Sequence, residues 1–479
     1  MEKKQHNNYL VFLNILIVVY SLYISLSVFK EKAVVTDDLA GVYALRMIPD
    51  SYFSYIYSFL DSTIMAARPV SGIITGTLSF LSKNNESFYL LGTLFFPLSL
   101  IAVYWVGRKM LSKELASLIT LLYCCSIIGT SIQFTSIMLN SNLATIFFVL
   151  SIYYVYVRKK IIVSALLFIA SVLSYEIFLP LVLLPLFLIR ENKKRLLFAL
   201  FTLGVIITFR KVIQPYVFVN SYQRDEVGRI FELKRVMLVV IFSVKLFVKD
   251  LFVGIYKGLV NIRNLNIPEW VLSVVIPFVV YKAFRNYDFK SKSEYFKKLG
   301  MISFVAILVG LSIFLFSSYI PTLFGFNNRN LGAIRLFYTL LIISGVIYLS
   351  VKLNVQSRMI SAFFAAIAFL LVVTNIRVKD SWIYASRFNN ELFSKLNKAI
   401  KENHIEDGDI CLEYDVFHEL KTNPNLTFRE PLFYDDWESS MLCEINGIDP
   451  KKFKVHNMDN KNDCEVKFQY KNGKMFRMK

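Results

Sequence analysis

Residues 9–38 read YLVFLNILIVVYSLYISLSVFKEKAVVTDD. Positions 9–29 carry no charge and are mostly apolar, and about 20 such residues cross a hydrocarbon core as one helix. The run is preceded by Lys3 and Lys4 and ends at Lys30, Glu31 and Lys32. No small-residue cleavage site follows it, so it reads as an uncleaved first span with its amino terminus inside. Six residues past the last lysine-flanked position stand two adjacent carboxylates, Asp37 and Asp38, just beyond the far end of the span.

The rest of the 479-residue chain repeats the pattern of that first run. It is 55% hydrophobic and 15% aromatic, only 19% charged, with a mean hydropathy of +0.50. A soluble enzyme, a disordered chain and a disulfide framework are excluded, because none can accommodate apolar runs of this length in water. Candidate spans fall at about 9–29, 87–107, 114–133, 138–157, 161–177, 178–190, 196–213, 268–284, 299–319, 336–352 and 359–376. The segment 178–190, with Pro180 and Pro185, reads as a kinked span or as half of a hairpin with 161–177. The expected fold is therefore a polytopic α-helical membrane protein of about eleven spans, with a small α+β extracytoplasmic domain at its carboxyl end.

Charge sets the orientation. Alternate loops are basic: Lys3/Lys4, Arg108/Lys109/Lys113, Arg158/Lys159/Lys160, Arg190/Lys193/Lys194/Arg195, Lys282 to Lys298, and Lys352/Arg358. The positive-inside rule places these in the cytoplasm and the carboxyl tail outside. Residues 377–479 hold 17 Lys and Arg against 18 Asp and Glu, which leaves +20 on residues 1–376 of the chain's net +19. A basic membrane part suits topology and anionic lipid or phosphate partners; no metal-type Cys/His spacing or aromatic box points to nucleic acid. The chain divides into a membrane domain, 1–376, and an outer domain, 377–479. In the latter, 389–403 has helical periodicity, 409–414 and 465–470 alternate like strands, and Asn472-Gly473 signals a turn. Cys443–Cys464 is the expected disulfide if the tail meets an oxidising compartment.

Two outer segments depart from simple spans. The first, 30–86, contains Asp37-Asp38, an aromatic stretch at 52–59 and Ala67-Arg68-Pro69, and reads as interfacial helices. The second, 214–266, includes the apolar stretch 236–260, whose Lys245, Lys249, Asp250 and Lys257 make it an interfacial or cavity-lining helix rather than a lipid-facing span.

These segments carry the candidate chemistry. Asp37 or Asp38 can serve as general base toward a hydroxyl, or hold a divalent cation (Mg or Mn); helix capping is the ordinary alternative. Arg68, held at a helix start by Pro69, offers planar donors to phosphate, against the alternative of a snorkelling arginine. Arg329 and Arg335 lie near the outer end of a span, where they suit an anionic lipid headgroup, against the alternative of ordinary interfacial anchoring. Lys245 and Lys249, one helical turn apart, are further phosphate contacts. Glu176, a charge between two apolar runs, is a functional candidate or a partner of the backbone near Pro180. Nucleotide-binding, nucleophile-elbow and zinc-protease motifs are absent.

One span, an outer loop opening on Asp-Asp and closing on Arg-Pro, many further spans and an outer carboxyl domain together resemble the GT-C superfamily. These are membrane glycosyltransferases using polyprenyl-phosphate sugars. The run Thr36-Asp37-Asp38, Arg46, Ala67-Arg68-Pro69 looks most like the bacterial serotype-converting O-antigen glucosyltransferase type, with Ala67 standing where that type has Gly. The resemblance implies an inner-membrane enzyme with a cytoplasmic amino terminus and a periplasmic carboxyl domain. It implies inverting transfer of glucose or another hexose from undecaprenyl phosphate to a polysaccharide or lipopolysaccharide acceptor. Asp37 or Asp38 is then the base, and Arg68, Lys245, Lys249 and Arg335 meet the departing phosphate. An O-antigen polymerase or ligase and a polysaccharide flippase are the competing readings.

Overall fold

The computed structural model describes residues 2–35, 37–44, 51–83, 85, 87–221, 232–317, 319–426, 428, 430, 432–434 and 436–478. Among them, eight helical segments are long and apolar enough to cross a membrane. They are Asn7–Lys30, Ser87–Met110, Ser136–Tyr156, Asn192–Val217, Ile267–Phe284, Ser293–Phe316, Phe326–Lys352 and Ser357–Glu402. Several turn an apolar row outward, as Val11, Ile15 and Val18 do on the first. The chain is a multi-pass helical membrane protein.

The expected spans at 114–133, 161–177 and 178–190 appear as shorter elements: helix Lys113–Cys125, helix Ile161–Ser174, the 3-10 helix Glu176–Val182 and the short helix Leu183–Leu188. Thirteen α-helical residues reach only about 20 Å. Helix Lys113–Cys125 stops ahead of Gly129, whose φ of 69° is left-handed, and Pro180 interrupts the other stretch. Residues 115–145 are buried throughout, so the irregular backbone there lies inside protein, where its polar groups can be paired.

Two hydrogen bonds gather basic loops at one end of the bundle. Lys113 Nζ donates to Asn7 Oδ1 (2.5 Å), and the Ser112 and Tyr287 hydroxyls are 3.2 Å apart. The segment after Lys30 lies at the other end, with the carboxyl-terminal domain. Val34, Leu39 and Val42 share one apolar core with Phe388, Leu392, Ile410, Leu412 and Phe468.

The segment at 236–260 is a helix, Leu233–Lys245 and Leu251–Val260 joined through a π-turn at Leu246–Asp250. It packs on helix Ser357–Glu402, with Gly258 against Thr374, and exposes a row including Val244, Val248, Phe252 and Tyr256.

Helix Ser357–Glu402 runs unbroken through Arg377, so the expected boundary is a change of composition, not a break in the chain. It delivers a four-stranded sheet: β1 (Gly408–Glu413), β2 (Phe453–Asn457), β3 (Val466–Lys471) and β4 (Lys474–Arg477). The order is β2-β1-β3-β4, with β1 parallel to β2 and β3, and β3 antiparallel to β4. Asn472 and Gly473, both at positive φ, make the two-residue turn between β3 and β4. The disulfide is Cys411–Cys464, correcting the expected Cys443–Cys464 pairing. Cys443 sits on helix Asp436–Ile445 and is buried as a free thiol, whereas Cys411 on β1 lies beside the approach to β3.

A loop of this domain returns to the bundle. Phe428 packs on Phe324, and its carbonyl accepts the Gly325 N–H at 2.8 Å. Glu430 closes the loop by accepting the Phe428 N–H (2.8 Å), and burial pushes its carboxyl up to about 8. An unfolded glutamate titrates near 4.3, so the folded protein holds the extra proton between those values. Stability from this group therefore falls as pH rises from about 5 to 8 and is level above. Melting curves of Glu430→Gln should gain on the wild type between pH 5 and pH 8; a constant offset contradicts the assignment.

Candidate functional site

Asp37 and Asp38 follow a buried stretch without regular structure, Ala33 to Val35, and meet different partners. Asp38 is wholly buried: Oδ2 accepts the Ser136 N–H (2.9 Å) and Oδ1 the Ile137 N–H (2.8 Å). It thereby satisfies two amides opening the turn Ser136–Met138, which have no intrahelical partner. Burial pushes its carboxyl up to about 7, against the pull of those two amides. Pinned in this way, the chain presents Asp37 to a cavity of about 400 Å³.

Arg68, Glu176, Arg210, Lys211 and Arg329 line the same cavity. Pro69 begins helix Pro69–Ser82 and leaves Arg68 as the residue before it. Arg68 grips Glu176 in a two-pronged pair, Nε to Oε2 at 2.7 Å and Nη2 to Oε1 at 2.5 Å, with its guanidinium 4.5 Å from the centre of the Tyr175 ring. One turn on, Ser71 Oγ donates to the Ser174 carbonyl (2.8 Å), tying this helix to the end of Ile161–Ser174. Arg210 Nη2 stands 3.9 Å from the same glutamate. Arg329 Nη1 donates to Asp37 Oδ2 at 2.6 Å, and its guanidinium lies 3.8 Å from the Phe326 ring centre.

Four cationic side chains thus face two carboxylates, a net of +2. Tyr175 donates to Asn330 Oδ1 (2.8 Å), while the buried Asn330 Nδ2 has no partner among the described residues. Walls of Phe314, Phe316 and Ile313 make the cavity part apolar. The arrangement can bind an anion, and in Asp37, whose side chain is 39% exposed, it holds a carboxylate within reach of an incoming group.

Of the sequence candidates, Asp37, Arg68, Glu176 and Arg329 meet here. Glu176 takes Arg68 as its partner, not the backbone near Pro180. Three others lie elsewhere. Arg335 is fully buried and donates to the carbonyls of Tyr123, Cys124, Ile128 and Gly129, closing the end of helix Lys113–Cys125. Lys245 pairs with Asp250 at 2.9 Å, and Lys249 is exposed; both are on helical turns that do not line the cavity. Arg46 and Thr36 lie outside the described residues.

Asp37 and Asp38 do not fit a shared divalent cation. Asp38 is spent on backbone amides, Asp37 faces Arg329, and the surrounding net charge is positive. Among the described residues no cluster of three or more Asp, Glu, His or Cys offers a metal site. Sequence reasoning missed Arg210 and Lys211. Their signal is basic charge at the end of a span that the positive-inside rule leaves uncharged.

Comparison with protein-family models, curated proteins and solved structures finds no match to this chain.

The two aspartates should separate in thermal melts of detergent-solubilised protein. Asp38→Ala strands two buried amides and should cost about 2–3 kcal/mol. Asp37→Ala loses a partly exposed pair and should cost less than about 1 kcal/mol. Equal losses contradict the division of roles.

Proposed function

We propose that the protein is a membrane glycosyltransferase. It moves a sugar, glucose or another hexose, from a polyprenyl-phosphate donor to a hydroxyl of a cell-surface polysaccharide such as O-antigen. The observation that carries this reading is the cavity: a net positive charge from arginines and a lysine beside one reachable carboxylate, at a span end, next to a folded polar domain. The resemblance of the Asp-Asp and Arg-Pro segments to GT-C enzymes points the same way. In this reading the site faces the periplasm, the basic loops face the cytoplasm, and the protein resides in a bacterial inner membrane.

The roles follow from charge. Asp37 takes the proton of the acceptor hydroxyl as its oxygen bonds to the anomeric carbon from the face opposite the phosphate. The bond from that carbon to the phosphate oxygen breaks, its electron pair stays on the phosphate, and the configuration inverts. The donor diester carries one negative charge and the departing monoester approaches two. Charge therefore grows where Arg68, Arg210, Lys211 and Arg329 are gathered, and the +2 cavity suits the product side of the step better than the donor. Such fixed charges act most strongly where water is scarce. Glu176 orients Arg68 and Arg210. Asp38 holds the loop. The carboxyl domain, which shares a core with the Asp37 segment, receives the acceptor in this reading.

The test is transfer of radiolabelled sugar by purified protein from polyprenyl-phosphate donor to lipopolysaccharide acceptor. Asp37→Asn should lower turnover by about 10² to 10⁴. Asp38→Asn should lower the yield of folded protein more than turnover per folded molecule. Transfer by Asp37→Asn at the wild-type rate overturns the base assignment.

A further inference from the structure

A second polar cavity, about 630 Å³, lies between helices Glu2–Lys30, Ile267–Phe284 and Ser357–Glu402, and shares no lining residue with the first. We propose that it binds the phosphodiester headgroup of an anionic phospholipid.

Lys30, Arg377, Lys379 and Arg387 line it against Glu31, Glu269 and Asp380, an excess of one positive charge. Every one of these carboxylates is already engaged. Lys379 Nζ is 2.5 Å from Glu269 and 2.9 Å from Asp380, Arg377 Nη1 is 2.8 Å from Asp380, and Arg387 holds Glu31. Two donors are left over. Lys30 has no ion pair among the described residues, and Arg377, only 3% exposed, keeps an Nε–H without a partner among them. A buried guanidinium N–H left unmatched is costly, and an anionic oxygen is the acceptor that suits it best. One excess charge matches a phosphodiester, which carries one, better than a monoester.

The rim selects a lipid over a soluble phosphate. Leu26 lines the cavity, and Ile267 and Trp270 stand exposed beside the lining residues Pro268 and Glu269 at the start of their span.

 The polar cavity therefore sits at headgroup depth, with apolar, lipid-facing side chains directly beneath it, and a tryptophan at that level is a common interfacial anchor. Acyl chains continue along these residues into the bilayer, which a water-soluble anion does not use.

The test uses the full chain in nanodiscs of phosphatidylcholine doped with phosphatidylglycerol, with retained phosphatidylglycerol counted by native mass spectrometry. The variant is Lys30→Glu with Arg387→Glu, two exposed positions whose exchange leaves the buried Lys379–Glu269 pair in place. Retention should weaken about tenfold in the variant, and water-soluble glycerophosphoglycerol should not displace the lipid from the wild type. Equal retention in both proteins overturns the proposal, and displacement by the soluble headgroup at matched concentration overturns the choice of a lipid. If the variant does not fold, photo-cross-linking of headgroup-labelled phosphatidylglycerol to the wild type decides. Labelling should fall on residues 23–31 and 377–387, and labelling confined to other segments contradicts the site.

Discussion

Two guanidinium–carboxylate contacts, Arg68 with Glu176 and Arg329 with Asp37, join four stretches of chain that lie far apart in sequence. Charges at the edge of a hydrocarbon core must be paired or solvated, and this constraint draws the helix ends together. Each contact is braced from behind. Asp38 fixes the loop that presents Asp37, Pro69 and Ser71 fix Arg68, and Phe326 supports Arg329. What remains after the two pairs form is a small positive surplus inside a part-apolar cavity, and that surplus is the basis for reading the site as a phosphate binder.

The carboxyl domain is continuous with this arrangement. Its apolar core includes Val34, Leu39 and Val42, on either side of Asp37, and its returning loop bonds to Gly325, immediately before the turn Phe326–Leu331 that carries Arg329. Both halves of the Asp37–Arg329 contact are thus buttressed by the carboxyl-terminal domain. The long helix Ser357–Glu402 links that domain to the second polar cavity through Arg377, Lys379 and Arg387. The basic charge of the membrane part accordingly has two settings: loops at one end, and a minority of arginines and lysines buried or clustered in cavities at the other.

Position along the helix bundle was legible in the sequence; direction around each helix was not. Apolar runs and alternating basic loops marked the long helices and the end of the bundle where Asp37, Arg68, Glu176 and Arg329 meet. They did not separate Arg329 from Arg335, six residues later, because both lie near the same depth. Only packing decides that Arg335 turns inward to four carbonyls and Arg329 turns to the cavity. The same limit applies to Lys245 and Lys249, whose spacing identified a shared face but not what it fronts. In the carboxyl-terminal domain, alternation marked β1 and β3, and the Asn472-Gly473 turn lay where β3 meets β4. The Cys411–Cys464 pairing depends on parallel strands adjacent in space and 53 residues apart in sequence, which spacing does not encode.

In the proposed reading, the positive surplus of the first cavity holds a lipid-linked phosphate. Its most direct test is equilibrium binding of polyprenyl phosphate and of the uncharged polyprenol of the same length to purified protein at fixed ionic strength. The phosphate should bind at least about a hundredfold more tightly, as charge-assisted hydrogen bonds to several cations require. Equal affinity for the two lipids would show that the cavity does not recognise phosphate and would contradict this reading.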